Sequence, residues 1–208
     1  MSLDFGLNGW GLEPKGIAVE YLRRLSALLA SMDLDAFERV MEHLSAARDR
    51  GATIYIAGNG GSATTASHWV NDLGKAVKLS GGTPMRVMSL TDNVSWVTAL
   101  ANDEGYTRVF AGQLENFVKP EDILIVISAS GNSENLVQAV QLAQSEGATT
   151  IGLLGFDGGV LKDMVTEYVW VPSEPGAYGL VESAHSVLCD MFTTCLVQDR
   201  HPAAGAAL

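Results

Sequence analysis

Two short loops carry the residues whose types and spacing could bind an anion. They are Gly58-Asn-Gly-Gly-Ser62 and Ser128-Ala-Ser-Gly-Asn-Ser133, and each follows an apolar run and precedes a helical pattern. The first amides of a helix lack intrahelical acceptors, and the helix dipole favours negative charge there. Hydroxyl donors would add to these amides, from Ser62, Ser128, Ser130 and Ser133. The pattern predicts a phosphate site built without Lys or Arg.

The two loops also have a simpler interpretation. Plain helix capping with glycine turns explains either loop alone, although two such loops after two candidate parallel strands favour a site. Neither loop is followed by the Gly-Lys-Ser/Thr of an ATP-binding loop, and neither has the later acidic residue of a dinucleotide site. The sequence therefore predicts no nucleotide cofactor.

The elements that must position these loops alternate as strand, loop and helix. This order predicts an α/β fold with a parallel sheet between two helical layers, and ligands in such sheets bind at the carboxyl ends of the strands. We expect one domain over 1–208, with a loose arm at 1–14, a helical hairpin at 15–51 and an α/β core with a C-terminal helix at 52–208. Strands are predicted at 53–57, 86–90, 122–127, 149–154 and 167–171. Core helices are predicted at 63–77, 95–101, 107–118, 134–146 and 179–198.

Composition excludes some classes of partner. The 13 basic and 24 acidic residues give a net charge of -11, which argues against nucleic-acid binding because that needs basic surface. We find no signal peptide and no membrane-spanning run, so no membrane partner is expected. Cys189 and Cys195 lie six residues apart on one predicted helix and could hardly bridge each other. We interpret them as reduced core thiols of a cytoplasmic protein.

Three motifs together resemble a known family. The first loop with His68 six residues later, the second loop, and Gly155-Phe-Asp-Gly-Gly159 resemble the sugar isomerase (SIS) domain family, most closely its phosphoheptose isomerase branch. The resemblance implies a flavodoxin-like three-layer αβα sandwich with a five-stranded parallel sheet. It also implies a homotetramer with active sites at subunit interfaces. The implied reaction converts sedoheptulose 7-phosphate to D-glycero-D-manno-heptose 7-phosphate in heptose biosynthesis.

The resemblance also implies site residues. The substrate contacts would be Asn59, Gly60, Ser62, Asn93, Ser128, Ser130, Ser133 and Glu182. His68 and Asp72 match a His and a Glu of the family. Glu182 stands at a Gln, and Asn93 stands where many members have Asp. His185 and Asp190 match two histidines, of which the second is a catalytic acid/base that can join a zinc site.

Moving a proton between adjacent carbons of a sugar requires a base, an acid and a group that stabilises the enediolate. His68 and Asp72 are four residues apart and share a helix face, and Asp190 lies about 80° around its helix from Glu182. We hypothesise that Asp72 is the base and that His185 or Asp190 is the acid. Alternatively, His68, Asp72, Glu182 and one of those two residues hold a divalent ion, for which zinc or manganese is suitable.

Simpler interpretations of the same residues remain open. His68 could be a core histidine, Asp72 a solvated helix charge, and Glu182 and Asp190 ion-pair partners across a subunit interface. A second function from another class is a non-catalytic SIS protein, which would bind a sugar phosphate or associate as a tetramer with the replication initiator.

Overall fold

The fold is described by a computed structural model of residues 13–199, so most of the arm predicted at 1–14 lies outside the described residues. Five parallel strands form one sheet in the order β2-β1-β3-β4-β5. The strands are β1 Thr53–Gly58, β2 Arg86–Ser89, β3 Ile123–Ser128, β4 Thr149–Leu154 and β5 Glu167–Trp170. This strand order is the flavodoxin-like one, which confirms the predicted fold class.

The centre of the sheet brings the two serine-glycine loops together. All six residues of β3 are buried, as expected for a strand covered on both faces. β1 pairs with β3 in parallel, with Gly58 opposite Ile127. β2 lies on one side of β1, whereas β3, β4 and β5 follow one another on its other side, so the direction in which strands are added to the sheet reverses between β1 and β3. The loops after β1 and β3 therefore leave neighbouring strand ends at the switch point, where ligands bind in such sheets.

Helices cover both faces of the sheet. One layer contains α1, α2, α3 and α8, and the other contains α4, α5, α6 and α7. The first layer comprises α1 Pro14–Ala30, α2 Leu34–Arg50, α3 Gly61–Leu79 and α8 Tyr178–Gln198. The second comprises α4 Val94–Asp103, α5 Ala111–Leu114, α6 Glu134–Ser145 and α7 Leu161–Met164.

The N-terminal segment predicted as a helical hairpin forms two successive helices, α1 and α2, each of which packs mainly against other elements of the molecule. Asp33 caps α2 by accepting hydrogen bonds from the N–H groups of Asp35 and Ala36, and α2 packs against β5. α1 packs against α8, where the Tyr21 hydroxyl donates to the Gly179 carbonyl at 2.8 Å. Within residues 13–199, α1 has no buried residue, so much of its apolar surface stays exposed.

Two local predictions were wrong. The continuous helix predicted at 107–118 is a 3-10 turn, Tyr106–Arg108, followed by the short α5. The Gln113 side chain there is buried and donates to the carbonyl groups of Leu90 and Val109. Cys195, predicted in the core, is exposed, whereas Cys189 is buried.

α8 is unusually apolar. Among the described helices it alone is long and apolar enough to cross a membrane, judged by length and composition. Half of that apolar stretch is buried inside the molecule, mainly against α3, as in a core helix. The core residues of α8 include Ala184, Leu188 and Phe192, which pack under the sheet with Trp69 of α3.

Candidate functional site

A cavity of about 130 Å³ opens at the carboxyl ends of β1 and β3. Six of the predicted substrate contacts line it, namely Asn59, Ser62, Ser128, Ser130, Ser133 and Glu182. Gly60, predicted with them, is the residue just before α3. The lining of this cavity contains no Lys or Arg among the described residues, so an anion here would be held by hydroxyl and amide groups.

The first loop turns sharply into α3. Gly60 has a φ of 57° and a ψ of −122°, a backbone conformation that residues other than glycine rarely adopt. Asn59 is fixed by Asn135 of α6, because each side-chain amide donates to the other's oxygen at 2.9 Å. The Tyr106 hydroxyl also donates to Asn59 Oδ1 at 2.9 Å. These bonds tie the first loop to the start of α6, the helix into which the second loop leads.

The second loop folds around its own serines. Ser128 Oγ accepts a hydrogen bond from the Gly131 N–H at 2.9 Å, and Ser130 Oγ accepts one from the Asn132 N–H at 3.3 Å. Gly131 has a φ of 65°, and a Cβ there would overlap the Gly158 carbonyl. Ser133 precedes α6 without a capping bond from its side chain, so its hydroxyl can donate to a ligand.

Glu182 on α8 forms part of the opposite wall. Its carboxylate lies over Gly61 at the start of α3, where an added Cβ would come within 2.5 Å of it. Burial raises the pKa of Glu182. The same side chain lines a second, more open groove of about 430 Å³. Glu182 therefore borders both the anion cavity and the groove.

The groove leads to three side chains with metal-ligand chemistry. His68 lines it, and His68 Nε2 lies 3.2 Å from Asp72 Oδ2 on the same face of α3. Asp190 of α8 joins them, with one donor atom of each residue within 4.8 Å of the others. One imidazole and two carboxylates that face solvent suit a zinc or manganese ion with an open coordination position.

Two residues predicted for this chemistry lie elsewhere. Glu182 is not part of the cluster of His68, Asp72 and Asp190. His185 is fully buried, and neither ring nitrogen has a hydrogen-bond partner among residues 13–199. Burial lowers the pKa of His185 to about 4, opposed only in part by the nearby Leu154 carbonyl. His185 lines neither the cavity nor the groove.

Asn93 also lies apart from the cavity lining. It is exposed and caps α4, where its side-chain oxygen accepts a hydrogen bond from the Trp96 N–H at 3.1 Å. Capping is a common role of Asn before a helix. The neighbouring Asp92 accepts a hydrogen bond from Ser67 of α3, which ties this turn to the helix that carries His68.

Three further residues belong to the site and were not predicted from the sequence. Asn135 and Tyr106 hold Asn59, and Tyr178 lines the cavity beside Glu182. Tyr178 lies four residues before Glu182, so the helical spacing that paired His68 with Asp72 could have found it. No comparable signal existed for Asn135, whose partner is 76 residues away.

The fold and the cavity define an α/β protein with a cavity lined by hydroxyl and amide groups at the switch point of a parallel sheet. The SIS domain model matches residues 20–155. Lincomycin biosynthesis protein LmbN of Streptomyces lincolnensis is 35% identical over 83% of this chain, which spans 66% of that protein. A phosphoheptose isomerase of Helicobacter pylori is 34% identical over 89% of this chain and 95% of its own length.

A solved structure agrees with these relatives. The phosphoheptose isomerase of Neisseria gonorrhoeae superimposes with a TM-score of 0.78 at 26% identity, over 88% of this chain and 97% of that one. The chain belongs to the SIS domain family, and its resemblance is to the phosphoheptose isomerase branch.

Proposed function

We propose that the protein is a phosphoheptose isomerase, which interconverts sedoheptulose 7-phosphate and D-glycero-D-manno-heptose 7-phosphate. The observation that carries the proposal is the connection between two chemically different regions. The cavity and the His-carboxylate cluster are connected by a groove, because Glu182 lines both the cavity and the groove and His68 lines the groove and belongs to the cluster. The names of the relatives give the reaction and the substrate class.

The cavity would hold the phosphate group of the substrate. Its donors are the hydroxyl groups of Ser62, Ser128, Ser130 and Ser133 together with the first amides of α3 and α6. The positive ends of two helix dipoles meet there, which compensates for the missing basic side chains. The net charge of -11 would repel anions at long range, so binding rests on these short contacts.

Asp72 would remove the proton from the sugar carbon, and Asp190 would exchange a proton with the oxygen. Both carboxylates lie close to His68, which lines the groove. The burial of His185 favours Asp190 for the acid role, because an acid must reach the substrate. His68 contacts Asp72 and would orient its carboxylate.

His68, Asp72 and Asp190 are also the residues that would hold a divalent ion. Their donor set fits zinc or manganese, and such an ion would polarise the sugar carbonyl as a Lewis acid. Glu182, predicted as a further ligand, is better suited to contact the sugar, since its carboxylate lies at Gly61.

We further propose that the protein is a homotetramer with interfacial sites. Support comes from α1, which exposes Val19 and Leu22 and also carries Tyr21, a residue that lines the groove. The cytoplasmic location expected from two free cysteines stays a prediction. Light scattering after gel filtration measures the assembly, and a monomer at micromolar concentration would contradict it.

A coupled assay with sedoheptulose 7-phosphate tests the activity, with and without added zinc. Asp72→Asn should reduce turnover at least ~100-fold while phosphate binding is retained. Asp163→Asn, the same change at an exposed carboxylate of α7 that lines neither the cavity nor the groove, serves as the matched control. Tight sugar-phosphate binding without turnover under either condition would replace the isomerase with a non-catalytic binding protein.

A further inference from the structure

The first turn of α8 forms the wall of the cavity that faces the two serine-glycine loops. Tyr178 and Glu182 both line the cavity, and they lie one helical turn apart on the same face. The Tyr178 hydroxyl has no hydrogen-bond partner in the part of the chain that the structure describes. A phenol at a polar cavity with no protein partner is available to a ligand.

Charge divides the cavity into two sides. Glu182 places a carboxyl group on the α8 side, and an ionised carboxylate repels a phosphate dianion. The amides and hydroxyl groups lie on the side of the loops. A bound sugar phosphate therefore directs its phosphate toward Ser128 and Ser130, and its hydroxyl groups toward Tyr178 and Glu182.

The motif Gly155–Gly159 holds Tyr178 in place. The rings of Phe156 and Tyr178 meet edge to face, with centroids 5.1 Å apart and an interplanar angle of 77°. Phe156 adopts a φ of 43°, a conformation unfavourable for a bulky residue. It is secured from both sides, since its N–H donates to Ser173 Oγ at 3.2 Å and its carbonyl accepts from Trp170 Nε1 at 3.0 Å.

The same motif also supports the opposite wall. Gly158 and Gly159 pack so closely against the second loop that a Cβ on Gly159 would overlap the Ser130 carbonyl. The Val160 N–H just beyond the motif donates to Asn132 Oδ1 at 3.0 Å. One turn therefore fixes both the phosphate side and the Tyr178 side of the cavity, which explains why a strained residue is maintained there.

We propose that Tyr178 is a specificity-determining residue that binds the sugar portion of the substrate through its hydroxyl, and that Phe156 is a positioning residue that acts through Tyr178. The proposal rests on the proposed sugar-phosphate function of the cavity. It gives a role to the Gly155–Gly159 motif, which has none in the proposed catalytic scheme.

The test compares two ligands by isothermal titration calorimetry. Tyr178→Phe removes one hydroxyl and keeps the ring, so the affinity for sedoheptulose 7-phosphate should fall about three- to tenfold. The affinity for inorganic phosphate should stay within about twofold, since phosphate alone uses the loop side. Equal losses for both ligands, or no loss for either, would overturn the assignment of Tyr178.

Phe156→Leu tests positioning, because it retains apolar volume but removes the edge-to-face contact. The single variant should weaken binding of the sugar phosphate but not of inorganic phosphate. In the double variant with Tyr178→Phe it should cause no further loss of affinity, because the hydroxyl that Phe156 positions is already absent. Independent, additive losses would overturn the positioning role. If the wild-type protein binds the sugar phosphate but does not isomerise it, the proposed isomerase activity is refuted. The binding comparison then still tests the proposed role of Tyr178. Wild type that binds neither ligand refutes both proposals.

Discussion

Replacing His185 should remove part of the decrease in the free energy of unfolding that occurs as pH falls. The ring is fully buried without a hydrogen-bond partner among the described residues, and burial lowers its pKa from 6.5 to about 4. The unfolded chain therefore binds a proton at a higher pH than the native protein does. The free energy of unfolding contributed by neutral His185 is fully present above the unfolded pKa and is lost as pH falls from 6.5 toward about 4.

The size of the effect follows from the two pKa values. Between about pH 7.5 and pH 5 this single group should lower the free energy of unfolding by about 2 kcal/mol. His185→Leu should abolish that contribution and add about 1–3 kcal/mol at neutral pH, because two unpaired buried nitrogens are removed. His185→Gln should also abolish the pH-dependent part, but without the gain at neutral pH.

The assay is urea unfolding at both pH values and a fixed protein concentration, since the assembly state affects apparent stability. Other titrating groups are common to wild type and variants, so the difference between their pH slopes isolates His185. Identical slopes for wild type and both variants would refute a buried neutral histidine. A turnover loss as large as that of Asp72→Asn would assign the acid role to His185 after all.

Three further substitutions test the site. Gly131→Ala should reduce the free energy of unfolding by about 2 kcal/mol or more in urea titrations, because its φ of 65° and the Gly158 carbonyl both oppose a Cβ. Gly61→Ala should stabilise α3 by up to about 1 kcal/mol in thermal unfolding, yet lower kcat/KM by displacing the Glu182 carboxylate. Asp190→Asn should weaken zinc binding at least about tenfold, measured by competition with a chromophoric chelator.

Two of the substitutions have a matched control on this chain. Gly81 also has a positive φ, of 85°, but has nothing within 4 Å, so Gly81→Ala measures the cost of conformation alone. An equal cost for Gly131→Ala would contradict the close packing of the loop. Gly74→Ala in the same helix meets only Val87 at 3.5 Å, and an equal kinetic loss there would exclude a specific effect at Gly61. Unchanged zinc affinity in Asp190→Asn would argue against the proposed cluster.

The loops and the sheet could be predicted because their signals are local. A buried strand such as β3 is a continuous apolar run, and a glycine followed by serine marks the turn into a helix. The shared face of His68 and Asp72 follows from helical spacing alone. Their approach to Asp190 depended on α3 and α8 packing side by side, which the family resemblance implied and spacing did not.

The burial of His185 could not be predicted in the same way. α8 is apolar over most of its circumference, so periodicity does not tell which face of the helix meets the sheet. The role of Phe156 depends on contacts with Ser173 and Tyr178 and on a strained φ, none of which is encoded by neighbours in sequence. Asn93 was assigned by family position, and its capping of α4 is visible only in three dimensions.

α8 carries Tyr178 and Glu182, which line the cavity, and Asp190, which lies close to His68 and Asp72 of α3. A single helix is stiff along its axis, so any motion that widens the cavity at one end must also shift Asp190 relative to His68 and Asp72. If the cavity binds the substrate and the cluster reacts with it, as proposed, substrate binding and the arrangement of the reactive groups are mechanically coupled. A change in the loops could alter the affinity of the cavity for a ligand. Only a displacement of the whole of α8 could alter the cavity and the cluster of His68, Asp72 and Asp190 at once.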